Sequence, residues 1–369
     1  MAPLIHEFRK YPNLFLVSVC VTGQHRHMLD QVLRIFDIVP EYDLDVMHSA
    51  QDLFDTTTMV LSGLREVLED FSPDLVFVHG DTTSTLAAGM AAYYRKIPVA
   101  HVEAGLRTHD IYSPWPEEIN RSLTDRIATY HFAPTFAAKE NLIAENIKEE
   151  SILVTGNTAI DALFWALKTI GDDPEKENEI IAYVACEGYD ATRLGAEQKM
   201  VLITGHRREN FGEGIQNMCD AIKNLSLVFP DIDFVYSVHP NPNVIKPVHN
   251  ILKEGIKNGN VFLTRPLEYL AFVYLMSKSF FLLTDSGGIQ EEAPCLGKPV
   301  LVMREVTERK EATESGSALL VGVNREQIEK SVIRLLTDQK LYKSMSKFNH
   351  PFGDGKASER IVGFVKNRI

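Results

Sequence analysis

Five stretches of this chain place acids, bases and glycines where chemistry is done. Val76-Phe-Val-His-Gly-Asp81-Thr-Thr-Ser-Thr reads as a buried strand, a glycine turn and a helix start. Ligands of open α/β sheets bind beyond the carboxyl ends of strands, so Asp81 is a candidate acid/base. The competing reading is a helix N-cap. Val99-Ala-His-Val-Glu103-Ala-Gly-Leu-Arg107 ends a second apolar run on a glutamate. Desolvation there calls for a partner, and Arg107, four residues on, is one candidate. A plain structural ion pair is the alternative. In Ser113-Pro-Trp-Pro116-Glu117-Glu118-Ile-Asn-Arg121, a proline at the first helical position and two acids mark a helix start. Glu117 and Arg121 can share one face of that helix. Acids in a first turn also complement the helix dipole without doing any chemistry.

The other two stretches lie further along. Val201-Leu-Ile-Thr-Gly205-His206-Arg207-Arg208-Glu209-Asn210 ends a strand on a histidine and two arginines. Such a turn suits anion binding and general acid chemistry, with a solvated charged loop as the alternative. Thr284-Asp285-Ser286-Gly287-Gly288-Ile-Gln-Glu291-Glu292 is the most specific signal. A strand runs into Ser-Gly-Gly and a helix, which lets a diphosphate approach N–H groups at the positive helix end. Glu292, one turn on, could accept hydrogen bonds from ribose hydroxyls; a Gly-capped turn is the plainer reading. His25 and His27 have no third ligand to complete a metal site. No GxGxxG or P-loop pattern occurs.

These residues need elements to hold them. Short apolar runs alternate with helical-period stretches, the pattern of parallel α/β architecture. Strands are expected at 14–21, 75–78, 98–102, 152–154, 201–204, 234–238, 261–263, 280–283 and 300–303. Leu4, Ile5 and Phe8 repeat at helical spacing, so the chain reads as opening inside a helix. Residues 171–199 are polar and irregular, and the domain boundary is placed there. The 369 residues, 45% apolar and 24% charged, suit two soluble domains. A net charge of −12 argues against a general nucleic-acid or anionic-membrane surface. Cys20, Cys186, Cys219 and Cys295 are widely spaced, which suits a reducing compartment. No apolar run approaches the ~18 residues of a membrane span, and no export signal is visible. The expected location is the cytoplasm.

Taken together, the motifs resemble the non-hydrolysing UDP-N-acetylglucosamine 2-epimerases over nearly the whole chain. The likeness rests on Gln24-His25-Arg26, His-Gly-Asp81-Thr-Thr, His-Val-Glu103-Ala-Gly-Leu-Arg107, Pro-Glu117-Glu118-Ile-Asn-Arg121 and Thr-Gly-Asn157-Thr. It continues through Gly-His206-Arg207-Arg208-Glu209-Asn210, His239-Pro-Asn-Pro, Thr-Asp285-Ser-Gly-Gly-Ile-Gln-Glu-Glu292, Thr307-Glu-Arg309 and Phe-Gly-Asp354-Gly-Lys. The resemblance implies a glycosyltransferase-B type fold, two doubly wound parallel-sheet domains facing across a cleft. Residues 1–170, completed by a C-terminal helix at 353–369, form the first domain. Residues 171–352 form the second, UDP-binding one.

The implied reaction interconverts UDP-N-acetylglucosamine and UDP-N-acetylmannosamine by elimination and re-addition of UDP, supplying cell-surface polysaccharide synthesis. Asp81, Glu103, Glu117 and His206 form the implied acid/base pool. Arg121, Phe272, Ser286, Gly287, Gly288, Glu292 and Arg309 are implied substrate contacts. No metal or other cofactor is called for, and the expected assembly is a homodimer. Gln24, His25, Arg207 and His239 match parts of a second, activating substrate site of some relatives, where Met59 replaces an arginine.

Two further departures stand out. The family opens with a strand and a Gly-Thr-Arg-Pro-Glu turn ahead of the Met-Ala-Pro-Leu that begins this chain, so its first strand is expected to be missing. Leu267 stands where some relatives carry a glutamine near the uracil. The rival readings are a hydrolysing epimerase, a glycosyltransferase and a sugar-nucleotide sensor.

Overall fold

Parallel strands covered on both faces must be apolar throughout, and the runs read above become such strands in a computed structural model. It describes residues 1–24, 26–47, 52–194, 198–348 and 350–368. The chain divides into one unit of Met1–Ala162 with Phe352–Ile369 and a second of Leu163–Pro351.

The first unit holds strands β1 (Cys20–Val21), β2 (Tyr42–Asp43), β3 (Val76–His79), β4 (Val99–Val102), β5 (Tyr130–Ala133) and β6 (Ile152–Val154). β3, β4, β5 and β6 pair in that order, all parallel, while β1 and β2 pair with each other. An apolar cavity of about 630 Å³ is lined by Phe8, Leu16, Val19, Leu33, Leu68 and Phe77. The strand expected over 14–21 shrinks to Cys20–Val21. Apolar composition does not by itself make a strand; a ladder partner is needed, and among the described residues only this dipeptide finds one.

The helical spacing of Leu4 and Phe8 does form a helix, Ala2–Arg9. Both side chains pack with Ala100, Val102 and Phe132 of the sheet. Ile361, Val362 and Val365 of the C-terminal helix Ala357–Lys366 join the same cluster. That helix has no side-chain cap of its own. Asp161 supplies one from a distant part of the chain, accepting from the Ala357 and Ser358 N–H groups at 3.1 and 2.7 Å.

The second unit holds β7 (Lys199–Thr204), β8 (Ile232–Ser237), β9 (Val261–Thr264), β10 (Phe281–Thr284), β11 (Val300–Val302) and β12 (Ala318–Leu320). Their order is β12-β11-β10-β7-β8-β9, all parallel. Succession along the sheet therefore reverses between β7 and β10, the switch point at which doubly wound sheets open a crevice. Val201, Ile203, Phe234, Tyr236, Leu283 and Leu301 form the strand side of one core with Ile215, Met218 and Ile222 of the helix Glu213–Val228. The stretch read as irregular contains a helix, Pro174–Glu187. Asp173 caps it and Ile180 and Val184 are buried, two anchors that its charged composition hides. No helix among the described residues is long and apolar enough to cross a membrane.

Asp161→Ala should destabilise the chain by about 1–2 kcal/mol, the scale of a lost helix cap. Urea unfolding is the check, and an unchanged midpoint would show that the C-terminal helix is held by its apolar face alone.

Candidate functional site

The carboxyl ends of β3, β4 and β6 collect the polar groups of the first unit. β3 closes on His79, and Gly80 turns at a φ of +70°. The helix that follows is capped by Thr82, whose hydroxyl accepts from the Thr85 N–H. Asp81 is thus not the cap. Its carboxylate accepts from Arg121 Nη2, and its carbonyl accepts from Asn120 Nδ2 at 3.0 Å.

Arg121 does not pair with Glu117, as the four-residue spacing allows. Its Nη1 donates to Glu118 at 3.0 Å, and Glu118 also accepts from the Thr108 and His109 N–H groups. Pro116 occupies the cap position rather than the first helical one, so Glu117 begins the helix Glu117–Ile127. This turns Glu118 inward, 2% exposed, to meet Arg121. Glu117 Oε2 and Arg121 Nε are buried with no hydrogen-bond partner among the described residues. Buried polar atoms seldom go unmatched, which makes these two candidates for contact with a ligand.

Glu103 follows β4 with a φ of +68°, a left-handed conformation that strains a residue with a side chain. Arg107 is not its partner. That guanidinium donates to Asp125 and Glu145 at 2.7 and 2.6 Å. Glu103 instead accepts from Asn157 Nδ2 at 3.0 Å and faces His79 Nε2 at 3.3 Å. Burial lowers the His79 pKa, favouring a neutral ring that donates its Nε2–H to this carboxylate. Sequence alone gives His79 no role and names Asn157 only within a motif of the resemblance. Both stand at carboxyl strand ends, which is the signal that would have found them.

In the second unit, the candidate residues lie at the switch point. Asp285 after β10 is 0% exposed and accepts from the backbone N–H groups of His206 and Arg207, each at 2.9 Å, and from Asn210 Nδ2 at 3.0 Å. One carboxylate therefore shapes the turn after β7. The His206 ring stacks on His239 with centroids 5.4 Å apart, and its Nδ1 lies 3.6 Å from Asp285. Burial and the neighbouring His206 lower the His239 pKa.

Ser286 precedes the helix Gly287–Cys295, which has neither a side-chain cap nor an acid in its first turn. A Cβ on Gly287 would crowd the Arg309 guanidinium at 3.2 Å, whereas at Gly288 it would meet open space. The first glycine admits the arginine, and the second leaves the helix end clear. Arg309 donates to Glu291 and Glu308 at 2.9 and 2.7 Å. Against the opposing effect of burial, Arg309 and Arg304 hold Glu308 at a pKa of about 2. Burial and then Glu291 push Glu292 up to about 8, and Tyr269 Oη donates to it at 3.5 Å. Phe272 is half-buried three residues along from Tyr269 on the helix Tyr269–Lys278.

The expected regulatory residues divide between the units. Gln24 accepts from Ser84 Oγ at 2.7 Å. Arg207 lies 3.5 Å from Glu308. His239 is the partner of His206, and His25 falls outside the described residues.

A family model described as UDP-N-acetylglucosamine 2-epimerase matches residues 7–366. A curated UDP-N-acetylglucosamine 2-epimerase of Yersinia pestis is 52% identical over 367 residues, covering 100% of this chain and 95% of that protein. The crystal structure of UDP-GlcNAc 2-epimerase from Neisseria meningitidis bound to UDP-GlcNAc superposes with a TM-score of 0.91 at 48% identity, covering 100% of this chain and 96% of that one. That of Methanocaldococcus jannaschii UDP-GlcNAc 2-epimerase, in complex with UDP-GlcNAc and UDP, gives 0.80 at 33%, covering 99% and 95%.

Glu292 makes stability depend on pH with a definite sign. Its folded pKa lies above the ordinary 4.5, so the native state holds a proton that the unfolded chain releases. Its contribution falls as pH rises from about 4.5 towards 8. Glu292→Gln should therefore be stabilising near neutral pH and should flatten that decline. Urea midpoints measured across this range decide it; parallel curves for the two proteins would refute the assignment.

Proposed function

Because the chain belongs to the UDP-N-acetylglucosamine 2-epimerase family, we propose that the strand-end residues just described carry the chemistry of that reaction. The fold is of the glycosyltransferase-B-like type, and the activity is non-hydrolysing inversion at C2 of UDP-N-acetylglucosamine, giving UDP-N-acetylmannosamine. The C2 hydrogen is not adjacent to a carbonyl carbon, so simple deprotonation is unfavourable. Elimination avoids the difficulty. A base takes the C2 proton, the C–H pair becomes a C1–C2 double bond, and the C1–O pair leaves on UDP. Return of the diphosphate oxygen to C1, with protonation of C2 on the other face, completes the inversion. No atom or electron is gained or lost.

This route asks for two things, and each unit is suited to supply its share. Proton transfer needs acids and bases, and Asp81, Glu103, Glu117 and His206 are the proposed set. The leaving diphosphate needs N–H donors and positive charge. Ser286, Gly287, Gly288 and Arg309 serve there, at an uncapped helix start. Glu292 takes the ribose, Phe272 packs near the uracil, and Arg121 holds Asp81 and reaches substrate with its unpartnered Nε. The observation that carries the reading is the register of β3 and β4. His79 sits opposite Val102, which sets Asp81 and Glu103 at adjoining strand ends. The same reading includes a cytoplasmic homodimer that supplies cell-surface polysaccharide synthesis. Gln24, His25, Arg207 and His239 belong to a second substrate site in it. A hyperbolic rate curve with no activation by added UDP-N-acetylglucosamine would remove that last part.

Proton NMR of the protein with UDP-N-acetylglucosamine in D₂O is the direct test. Deuterium at C2 and the appearance of UDP-N-acetylmannosamine are expected. Free N-acetylmannosamine would contradict the non-hydrolysing reading, and an unchanged spectrum would contradict turnover. Asp81→Asn, Glu103→Gln, Glu117→Gln and His206→Asn should each lower kcat by about 10²-fold or more, with folding little changed. Near-normal turnover in any one would remove that residue from the set.

A further inference from the structure

Beneath the Asp81 turn lies a charged pair that touches no solvent. His101 of β4 and Asp125 of the helix Glu117–Ile127 are both 0% exposed. His101 Nδ1 is 2.6 Å from Asp125 Oδ1, and its Nε2 is 2.7 Å from the Gly80 carbonyl oxygen. A carboxylate and a backbone carbonyl are both acceptors. A neutral imidazole has one N–H and would turn a lone pair on the other acceptor. Only the imidazolium donates to both. Burial opposes that charge, but Asp125, the Gly80 carbonyl and Glu103 together outweigh it, and the His101 pKa is raised. Asp125 also accepts from the Gly105 N–H at 3.2 Å and from Arg107 at 2.7 Å. Arg107 in turn pairs with Glu145. Two cations thus face two anions: His101, Arg107 and Asp125 are buried, while the Glu145 side chain reaches solvent, 34% exposed.

The clamp closes on one residue. The Gly80 N–H donates to the Val102 carbonyl at 3.0 Å, so β4 holds Gly80 by its N–H through the backbone and by its C=O through His101. The next residue is Asp81. His101 itself stands two residues before Glu103. We propose that His101, as an imidazolium seated on Asp125, is a positioning residue that locks the Asp81 turn to the strand end carrying Glu103. The inference rests on the catalytic reading of Asp81 and Glu103.

His131 provides a matched control. It is also buried, it donates to the Asp125 main-chain carbonyl at 2.7 Å, and no hydrogen bond joins it to Gly80. The first readout is independent of activity: ¹⁵N–¹H correlation of the ring nitrogens at pH 7.5. His101 is expected to show protons on both nitrogens. The second readout is kinetic. His101→Gln offers a donor to only one acceptor at a time and should lower kcat by about 10–100-fold, with the KM for UDP-N-acetylglucosamine within about threefold. His131→Gln should lower the urea midpoint but leave kcat within about twofold. Asp125→Asn keeps the ring, removes its anion, and should lose one ring proton and show the same kcat loss; it tests the clamp if His101→Gln does not fold. A neutral His101 ring would overturn the proposal. So would full kcat in the folded His101→Gln protein, or an equal kcat loss in His131→Gln. Wild-type protein without turnover would sink the catalytic reading instead, and the ring-nitrogen spectrum would still decide the state of His101.

Discussion

A carboxylate removed from water must be surrounded by donors, and in this protein that requirement shapes the turns proposed to carry the chemistry. Asp285 is the plainest case. It faces two backbone N–H groups and a side-chain amide, all from the segment after β7. A turn of His-Arg-Arg-Glu-Asn would otherwise be free to move in solvent. Held by one buried acceptor, it presents His206 from a fixed backbone. Asp125 does comparable work in the first unit through His101, Gly105 and Arg107. In both units the acid that shapes the turn is not the acid or base proposed to react.

The arrangement has an energetic consequence. Buried ions are poor stabilisers, because desolvation offsets most of their attraction. Glu103 adds backbone strain of order 1–3 kcal/mol through its left-handed conformation. Glu117 Oε2 and Arg121 Nε remain unmatched among the described residues. Stability therefore has to come from elsewhere. It is found in the apolar layers behind the strand ends, with Phe132 and Val102 in one unit and Val201, Phe234 and Leu283 in the other. The division follows the strand axis: carboxyl ends for polar work, strand middles for packing.

This division explains which features could be read from the residues. Strand middles are continuous apolar runs, so β3, β4, β6, β7 and β10 were visible within a residue or two. Tyr130–Ala133 was not, because His131 breaks the run although it lies buried against the Asp125 carbonyl. Ala318–Leu320 was also missed, and Leu14–Val21 was apolar with little ladder to join. The reactive candidates were legible because they fall at strand ends. Their partners were harder. Glu103 with Arg107 and Glu117 with Arg121 were plausible by spacing, yet both arginines turn to other acids. Arg107 finds Asp125 and Glu145, 18 and 38 residues away. Local spacing states which groups could meet. Sheet pairing, which joins residues far apart in sequence, decides which of them do.

Pairing also accounts for how one fold can host this reaction. An elimination followed by a re-addition never needs more than one proton in transit, but it needs acid/base groups that stay put while UDP is detached. A parallel sheet supplies that constancy, since neighbouring strand ends are fixed by ladder bonds that do not involve the substrate. His79 opposite Val102 sets one such spacing, and Thr204 opposite Thr284 sets another. From the first spring Asp81 and Glu103, and from the second the His206 turn and the Ser286-Gly287-Gly288 helix start. The loops carry the residues proposed to react, while their separation is inherited from backbone hydrogen bonds several residues back in the sheet. On the proposed reading, substitutions at those loops remove chemistry without unfolding the chain, whereas a change at His101 shifts the turn that carries Asp81.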